Sequence, residues 1–432
     1  MALLCGFIGV ANGFAAPSDD DELPPEKGDL VPDQYIVVLK DKEIPGGEVA
    51  VDRVGEEISA RVGGQKGHTY SSALKGFVVR LPRGAKASRL KEDPRVEFIQ
   101  QDRVAYAFDH VPSEIPTGID RVNAELNPST VPASAGWGVA VIDTGIQLDH
   151  PELNVVGNVS FVKGAKSGKD DNGHGTHVAG TIGARDNGIG VVGIAPGVPL
   201  YAVKVLNRNG SGFWSDIIKG IDWVTANRSK IAVANMSLGG YAPNTDDGNC
   251  GNTNGDALHR AICRSVAAGV VYAVAAGNST ADAKDFAPAA YDEVITVSAL
   301  ADSDGKPNGT GPATNYGADD TFATFSNFGP DIDLIAPGVN ILSANIGGTY
   351  RRLSGTSMAA PHVTGTVGLW MAKNGRPATG DAKDPAVRKI VNEISEAVGS
   401  FRGDPDGISE PMLNADTTAA GGTGSSVCCP AS

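Results

Sequence analysis

A set of short, almost unbroken apolar runs constrains this chain more than anything else in it: Gly138 to Asp143, Leu200 to Leu206, Ile231 to Ser237, Val270 to Ala275 and Val294 to Ser298. A strand with one face in water alternates apolar and polar residues, whereas a strand covered on both faces is apolar almost throughout, as in parallel sheets. Segments with helical spacing, such as Trp214 to Ala226 and Leu258 to Ala268, lie between the runs and are long enough to cross from one parallel strand to the next. The expected fold is therefore α/β, a doubly wound and mostly parallel sheet with helices on its faces. Such sheets carry their sites at the carboxyl ends of strands, and Asp143 closes the first run.

A serine occupies a comparable boundary. Gly355-Thr356-Ser357-Met358-Ala359-Ala360-Pro361-His362 sets Ser357 between a glycine turn and an apolar stretch, Ser357 to Lys373, that reads as a helix. A helix N-terminus favours negative charge. A serine hydroxyl is nonetheless a weak nucleophile unless a base and an acid that orients the base stand nearby. Asp171-Asn172-Gly173-His174-Gly175-Thr176-His177 is a glycine-rich turn leading into a helix and offers histidines, while Val139-Ala140-Val141-Ile142-Asp143 offers the carboxylate. The histidine pair does not suit a zinc helix, which needs His-Glu-x-x-His where Gly175-Thr176 intervenes.

Asp143-Thr144-Gly145, His174-Gly175-Thr176-His177 and the segment around Ser357 match, in that order and without substitution, the motifs of the subtilisin-like serine peptidases, the subtilase family, which this chain resembles. The resemblance implies that Ser357 is the nucleophile, His174 the general base and then acid, and Asp143 the group that orients the imidazole. It makes His177, further into the helix, a structural partner. Ala275-Ala276-Gly277-Asn278 follows an apolar run and matches the family segment whose asparagine donates to the oxyanion, which implies Asn278.

Ser237-Leu238-Gly239-Gly240 and Gly210-Ser211-Gly212-Phe213-Trp214 resemble the two edges between which the family holds an extended substrate. On that basis Ser237, Leu238, Gly239 and Gly212 bind substrate, Gly277 walls the first pocket, and Trp214 faces the fourth pocket before the cut. On its own residues Trp214 is equally a core side chain. Small and apolar pocket walls imply a broad apolar preference rather than one for paired basic residues. Arg185 to Val191 resembles the family's calcium loop, with side chains of Asn187 and of Glu152, where an aspartate is usual, and carbonyls of Arg185, Ile189 and Val191 around a structural Ca²⁺. The acidic loops Asp302-Ser303-Asp304 and Asp319-Asp320 read as solvated charge.

Ahead of this domain, Gln34 to Lys40, Gly76 to Leu81 and Val96 to Asp102 read as strands, and Val49 to Val62 and Ala85 to Glu92 as helices. They suggest a small α+β unit of ferredoxin-like type. Directly before a subtilase domain it looks like the family's inhibitory propeptide, which assists folding and then occupies the cleft. The extended segment Arg103 to Phe108 resembles the family's processing junction and places the cut after Phe108. The expected organisation is a signal peptide at 1–16, an acidic linker at 17–32, the propeptide at 33–108, the peptidase domain at 109–416 and a disordered tail at 417–432.

The formal charge of -14 excludes binding of nucleic acid through clustered Lys and Arg, and no later run approaches the roughly 20 apolar residues that span a bilayer. Cys250 in a polar loop and Cys263 in a helix are expected to form a bridge, as an oxidising compartment allows, with two free buried cysteines as the alternative. Cys428 and Cys429 have no assignable partner. The reading is of a secreted, monomeric serine endopeptidase made as a self-processing zymogen, with polypeptides as substrates and its own propeptide as chaperone and inhibitor.

Overall fold

The computed structural model describes residues 30–107, 118–124, 131, 135–396 and 401–416. It opens with β1 (Leu30–Leu39), α1 (Glu48–Val62), β2 (Gln65–Tyr70), β3 (Gly76–Arg80) and β4 (Val96–Ala107). The four strands are antiparallel in the order β4, β1, β3, β2, an arrangement of ferredoxin-like type. Sequence patterning missed β2, because Gln65-Lys66-Gly67-His68-Thr69-Tyr70 has no apolar run. It lies at the edge of the small sheet, where polar residues are favoured. The second expected helix is only a 3-10 turn, Ala87–Glu92. Asp93-Pro94 stops it, since proline disfavours helix in the residue before it and has no N–H of its own. Residues 30–32, read as linker, belong to β1, and Leu30 pairs with Arg103.

After α2 (Gly118–Arg121) come β5 (Gly138–Asp143), β6 (Val155–Ser160), α3 (His174–Gly183), β7 (Leu200–Lys204), β8 (Ser211–Phe213) and α4 (Trp214–Ala226). Next are β9 (Ile231–Met236), β10 (Leu238–Tyr241), α5 (Ala257–Ala267), β11 (Val271–Ala275), β12 (Phe286–Ala287) and β13 (Ile295–Ala301). The chain continues through β14 (Thr321–Phe322), β15 (Leu334–Pro337), the hairpin β16 (Ile341–Asn345) and β17 (Thr349–Leu353), then α6 (Thr356–Asn374) and α7 (Pro385–Glu393).

The large sheet runs β14, β13, β11, β9, β5, β7, β6, with β15 beside β13. Its pairings are parallel except that of β13 with β14. Successive residues of a strand point to opposite faces, and both faces here are apolar. Val139 and Val141 of β5 join Val178, Ile182, Met358 and Val363 of α3 and α6 in one core. Ala140 and Ile142 join Ile217, Ile221, Leu258 and Ile262 of α4 and α5 in the other. That is why the strand sequences are apolar without alternation.

Two expected strands end early. Val205 and Leu206 turn their N–H groups to the Asp143 carbonyl at 2.9 and 3.2 Å, and Ser237 leaves β9 for a bond with Ser357. The last helix ends at Glu393, short of Val398, which lies outside the described residues. So do the signal segment, the linker up to residue 29, Phe108, the tail, and Cys5, Cys428 and Cys429. Cys250 and Cys263 are bonded to each other, with Cα atoms 5.7 Å apart. Among the described residues no helix is long and apolar enough to cross a membrane.

The small sheet docks on the α4 and α5 layer. Val37 and Leu39 of β1 pack on Val51, Val54 and Ile58 of α1. Ile36 and Val38 point the other way and share the α4 and α5 core with Tyr70, Leu74 and Val78. Polar groups fix the docking by satisfying backbone donors that a helix start or a turn leaves unpaired. Asp102 accepts the Ser215 N–H at 2.9 Å in the first turn of α4, and Gln100 accepts the Ala257 N–H at 2.6 Å at the start of α5. Asp222 of α4 accepts the N–H groups of Ser71, Ser72 and Ala73 at 3.2, 2.5 and 2.7 Å.

Candidate active site

Asp143 ends β5, His174 begins α3, and a glycine lets the two elements touch. A Cβ on Gly175 would strike the Gly145 carbonyl and stand 3.1 Å from the Asp143 side chain. Gly173, just before the helix, has φ 108°, a conformation that other residues rarely adopt. His174 Nδ1 then lies 2.8 Å from Asp143 Oδ1, with both side chains buried. An Nδ1–H held on a carboxylate leaves the other ring nitrogen as an acceptor, the tautomer a general base requires.

Ser357 occupies the first turn of α6. Its hydroxyl donates to the Ser237 carbonyl at 3.1 Å, and the Ser237 hydroxyl donates back to the Ser357 carbonyl at 2.8 Å. The second bond is possible because Pro361 stands where the helix would normally supply an N–H to that carbonyl. Ser237 is held in turn by Asn235 Nδ2 at 2.9 Å.

Asn278 follows β11 through Gly277, whose φ is 107°. Its Oδ1 accepts both the N–H and the hydroxyl of Thr356, each at 2.9 Å. The Nδ2 is thereby turned away, and it is buried with no hydrogen-bond partner among the described residues. Leaving such a donor unsatisfied costs about 1–3 kcal/mol. The arrangement is intelligible where an acceptor arrives only during reaction, at a developing oxyanion.

The cleft beside these groups holds a strand of the chain itself. The end of β4 lies between β8 and β10, antiparallel to both. Val104, Ala105 and Tyr106 pair with Phe213, Gly212 and Ser211, while Tyr106 and Ala107 pair with Gly239 and Leu238. Ser237 immediately precedes Leu238, so β4 runs toward the residue that holds the Ser357 hydroxyl. Trp214 is 1% exposed in the α4 and α5 core, with the Arg103 guanidinium 5.4 Å from its ring centroid. It is a core side chain with one face under β4. His177 is set apart from the cluster. Its Nε2 meets the carbonyls of Ile341 and Arg351 at 2.9 and 3.0 Å, and burial holds its pKa down to about 3, so the ring is neutral.

The residues expected around Ca²⁺ are partly assembled. Glu152 is fully buried; Oε1 accepts the Val191 N–H at 3.1 Å, and burial together with the neighbouring Glu152 carboxylate raises the Tyr350 pKa. The Glu152 carbonyl accepts the Arg185 N–H at 2.9 Å, and Asn187 Oδ1 accepts the Ile189 N–H at 3.2 Å. A buried carboxylate beside a loop of oxygen donors fits a hard cation. The acidic loops differ from expectation. Asp302, Asp319 and Asp320 are buried rather than solvated, because turn N–H groups of Gly305, Ser303, Gly311, Asn308 and Gly309 bind their carboxylates. Asp302, Asp304 and Asp319 nevertheless stand close enough together to hold an ion.

Sequence reading overlooked Thr356 and Asp170. Thr356 accepts the Gly277 N–H at 3.0 Å as well as orienting Asn278. Asp170 ties the two halves of the site, accepting from Thr144 Oγ1 at 2.9 Å and from the N–H groups of Asn172, Gly173 and Thr176 at 2.9, 3.0 and 3.0 Å. The only signal for Asp170 was its place at the head of an Asp-Asp-Asn-Gly turn.

Residues 134–402 match the profile described as the subtilase family. Subtilisin NAT of Bacillus subtilis subsp. natto is 39% identical over 289 residues, covering 66% of this chain and 68% of its own length. Subtilisin DY of Bacillus licheniformis is 41% identical over 262 residues, covering 60% and 85%. Among solved structures, that of a cold adapted subtilisin-like serine proteinase is 33% identical with a TM-score of 0.53, covering 69% of this chain and 97% of its own.

Proposed function

Because the chain belongs to the subtilase family and is a subtilisin-like serine endopeptidase, we propose that Asp143, His174 and Ser357 form its triad and that it is secreted as a precursor which cuts itself. Ser357 turns its hydroxyl from the Ser237 carbonyl to His174, which takes the proton as Oγ attacks the scissile carbonyl. Asp143 steadies the imidazolium, and His174 then protonates the leaving amine. Asn278 Nδ2 and the Ser357 N–H receive the oxyanion. Water repeats the sequence on the acyl-enzyme.

The observation that carries this reading is the strand β4 held between β8 and β10 and directed at Ser357. On this reading residues 33–108 are the propeptide, residues 109–416 the peptidase, and the cut falls after Phe108, one position beyond the last paired residue. Ser237, Leu238, Gly239 and Gly212 grip substrate backbone, Gly277 walls the first pocket, and the core side chain Trp214 offers the fourth only the face that lies under β4. The Cys250–Cys263 bridge supports an oxidising, extracellular destination. A fluorophosphonate should label the mature enzyme at Ser357 alone, and Edman sequencing should start at Asp109. Labelling elsewhere, or a start more than a few residues away, would overturn the assignment.

Ca²⁺ at Glu152 and the Asn187 loop stabilises the fold without contacting substrate. An ion at about 100 times its dissociation constant contributes about 2.7 kcal/mol. Thermal inactivation should be several-fold faster in EDTA than in millimolar Ca²⁺, and Glu152→Gln should remove the difference. Equal half-lives in wild type would speak against the site.

The propeptide should also bind more tightly in acid. Burial pushes the Asp102 carboxyl up to about 6, against hydrogen bonds from Ser215 and Gln34. In the free segment it returns to an ordinary value near ~3.9. The complex therefore holds a proton that the free segment releases, so affinity is greatest below ~4, falls as pH rises to about 6, and is then level. Calorimetry with isolated residues 33–108 and mature enzyme should follow this profile, with a total change of up to about 100-fold. Asp102→Asn should flatten it; a rise in affinity across that range would contradict the assignment.

A further inference from the structure

His259 stands in a polar pocket that the proposed chemistry does not use. Helix α5 carries it, its side chain is wholly buried, and its ring stacks on Tyr291 with centroids 4.2 Å apart and planes 2° from parallel. One nitrogen is accounted for, since Nε2 lies 2.8 Å from Glu293 Oε2. The other is not. Nδ1 is buried without a hydrogen-bond partner among the described residues and faces Asp247 Oδ1 at 3.7 Å and Asp246 Oδ1 at 4.0 Å.

The carboxylates are held where they are. Asp247 accepts the N–H groups of Asn249, Gly251, Thr253 and Asn254 at 2.8, 2.9, 2.7 and 3.2 Å. Asp246 accepts those of Gly248 and Asp292 at 2.7 and 3.2 Å. The Cys250–Cys263 bridge fastens the same loop to α5. When the Nε2–H is donated to Glu293 and Nδ1 carries no proton, Nδ1 presents a lone pair beside two anionic oxygens, a set of donors that suits a cation. A carboxylate behind one ring nitrogen and a bare second nitrogen in front is also the outer shell of metal-binding histidines.

We propose that His259 Nδ1, Asp246 Oδ1 and Asp247 Oδ1 bind a divalent metal ion of the Zn²⁺ class, with Glu293 orienting the ring. One imidazole with two carboxylates suits Zn²⁺ or Co²⁺ better than Ca²⁺, which takes oxygen donors. The three ligand atoms lie within 4.8 Å of one another. Ligands about 2.1 Å from a tetrahedral ion stand about 3.4 Å apart, so from 3.7 and 4.0 Å the two carboxylates must each move in toward Nδ1 by about half an ångström, and toward one another from a separation of at most 4.8 Å. Asp246 is 19% exposed and Asp247 7%, which leaves an opening for the ion and a water ligand. Burial is the largest influence on the His259 pKa and opposes charge, yet Glu293, Asp246 and Asp256 outweigh it and raise the pKa, so the field in the pocket favours a cation. The ion would brace, from behind, the loop that follows the β10 edge.

The test uses the full chain carrying Ser357→Ala, freed of metal by chelator, returned to millimolar Ca²⁺ at mildly alkaline pH and titrated with Co²⁺ alone. Visible absorption should report one tightly held Co²⁺ that Zn²⁺ displaces, with a rise in Tm on binding. Asp246→Asn, at a partly exposed position that leaves the core intact, and His259→Gln should each weaken binding at least tenfold. Glu293→Gln should weaken it by roughly 10–100-fold. No absorption at millimolar Co²⁺, or equal binding by wild type and Asp246→Asn, would overturn the site. So would a Tm that falls as pH rises but ignores Co²⁺ and Zn²⁺, because His259 would then be an imidazolium paired with the carboxylates. The readout is independent of catalysis, so its failure leaves the peptidase reading untouched.

Discussion

Ser357→Ala should yield a folded chain of full length that neither matures nor cuts other proteins. Alanine removes the hydroxyl and its bond to the Ser237 carbonyl, at a cost of about 1 kcal/mol, while the reciprocal bond from Ser237 to the Ser357 carbonyl remains. Stability should change little. Matured by wild-type enzyme in trans, the variant should show kcat lower on the order of 10⁶, the loss known for the nucleophile of the relative subtilisin. Mass spectrometry of the purified precursor is the first check. Spontaneous appearance of a mature-length product, with no wild-type enzyme present, would end the triad assignment.

Asn278→Ala should fold and mature slowly, with kcat reduced on the order of 10²–10³ and KM little altered, as for the corresponding donor of subtilisin. The structure allows a sharper version. Asn278 Oδ1 accepts two bonds from Thr356, so alanine removes the proposed oxyanion donor and the Thr356 acceptor together. Asn278→Asp keeps an acceptor for Thr356 but puts a negative oxygen where the oxyanion should form. It should therefore retain more stability than alanine and lose at least as much kcat. Near wild-type turnover in Asn278→Asp would remove Asn278 from the chemistry and leave it a turn residue.

Asp143, His174, Ser357 and Asn278 were legible in the sequence because each closes or opens a secondary-structure element at a boundary marked by glycine and an apolar run. Such boundaries are written locally. The groups that hold them are not. Asp170 works by accepting N–H groups and two hydroxyls from Thr144 to Thr176, and Asp102 by reaching the start of α4, a helix more than a hundred residues on. A carboxylate in a loop looks the same whether water or a turn of backbone N–H groups surrounds it, which is why Asp302, Asp319 and Asp320 read as solvated. β2 was invisible for a related reason, since an edge strand is specified by its neighbour rather than by its own composition.

Strand β1 hides one face under α1 and the other against α4 and α5. On the proposed reading, in which the chain is cut after Phe108 and the segment departs, Ile36, Val38, Tyr70, Leu74 and Val78 would lose half of what kept them dry, and a sheet of this size with a single helix has little else to cover them. The freed segment should open readily, and an opened chain is food for the enzyme it had blocked. Each liberated molecule would then destroy the blockers of its neighbours. A population of such precursors should stay silent at first, switch on together after a lag that shortens with concentration, and have no route back.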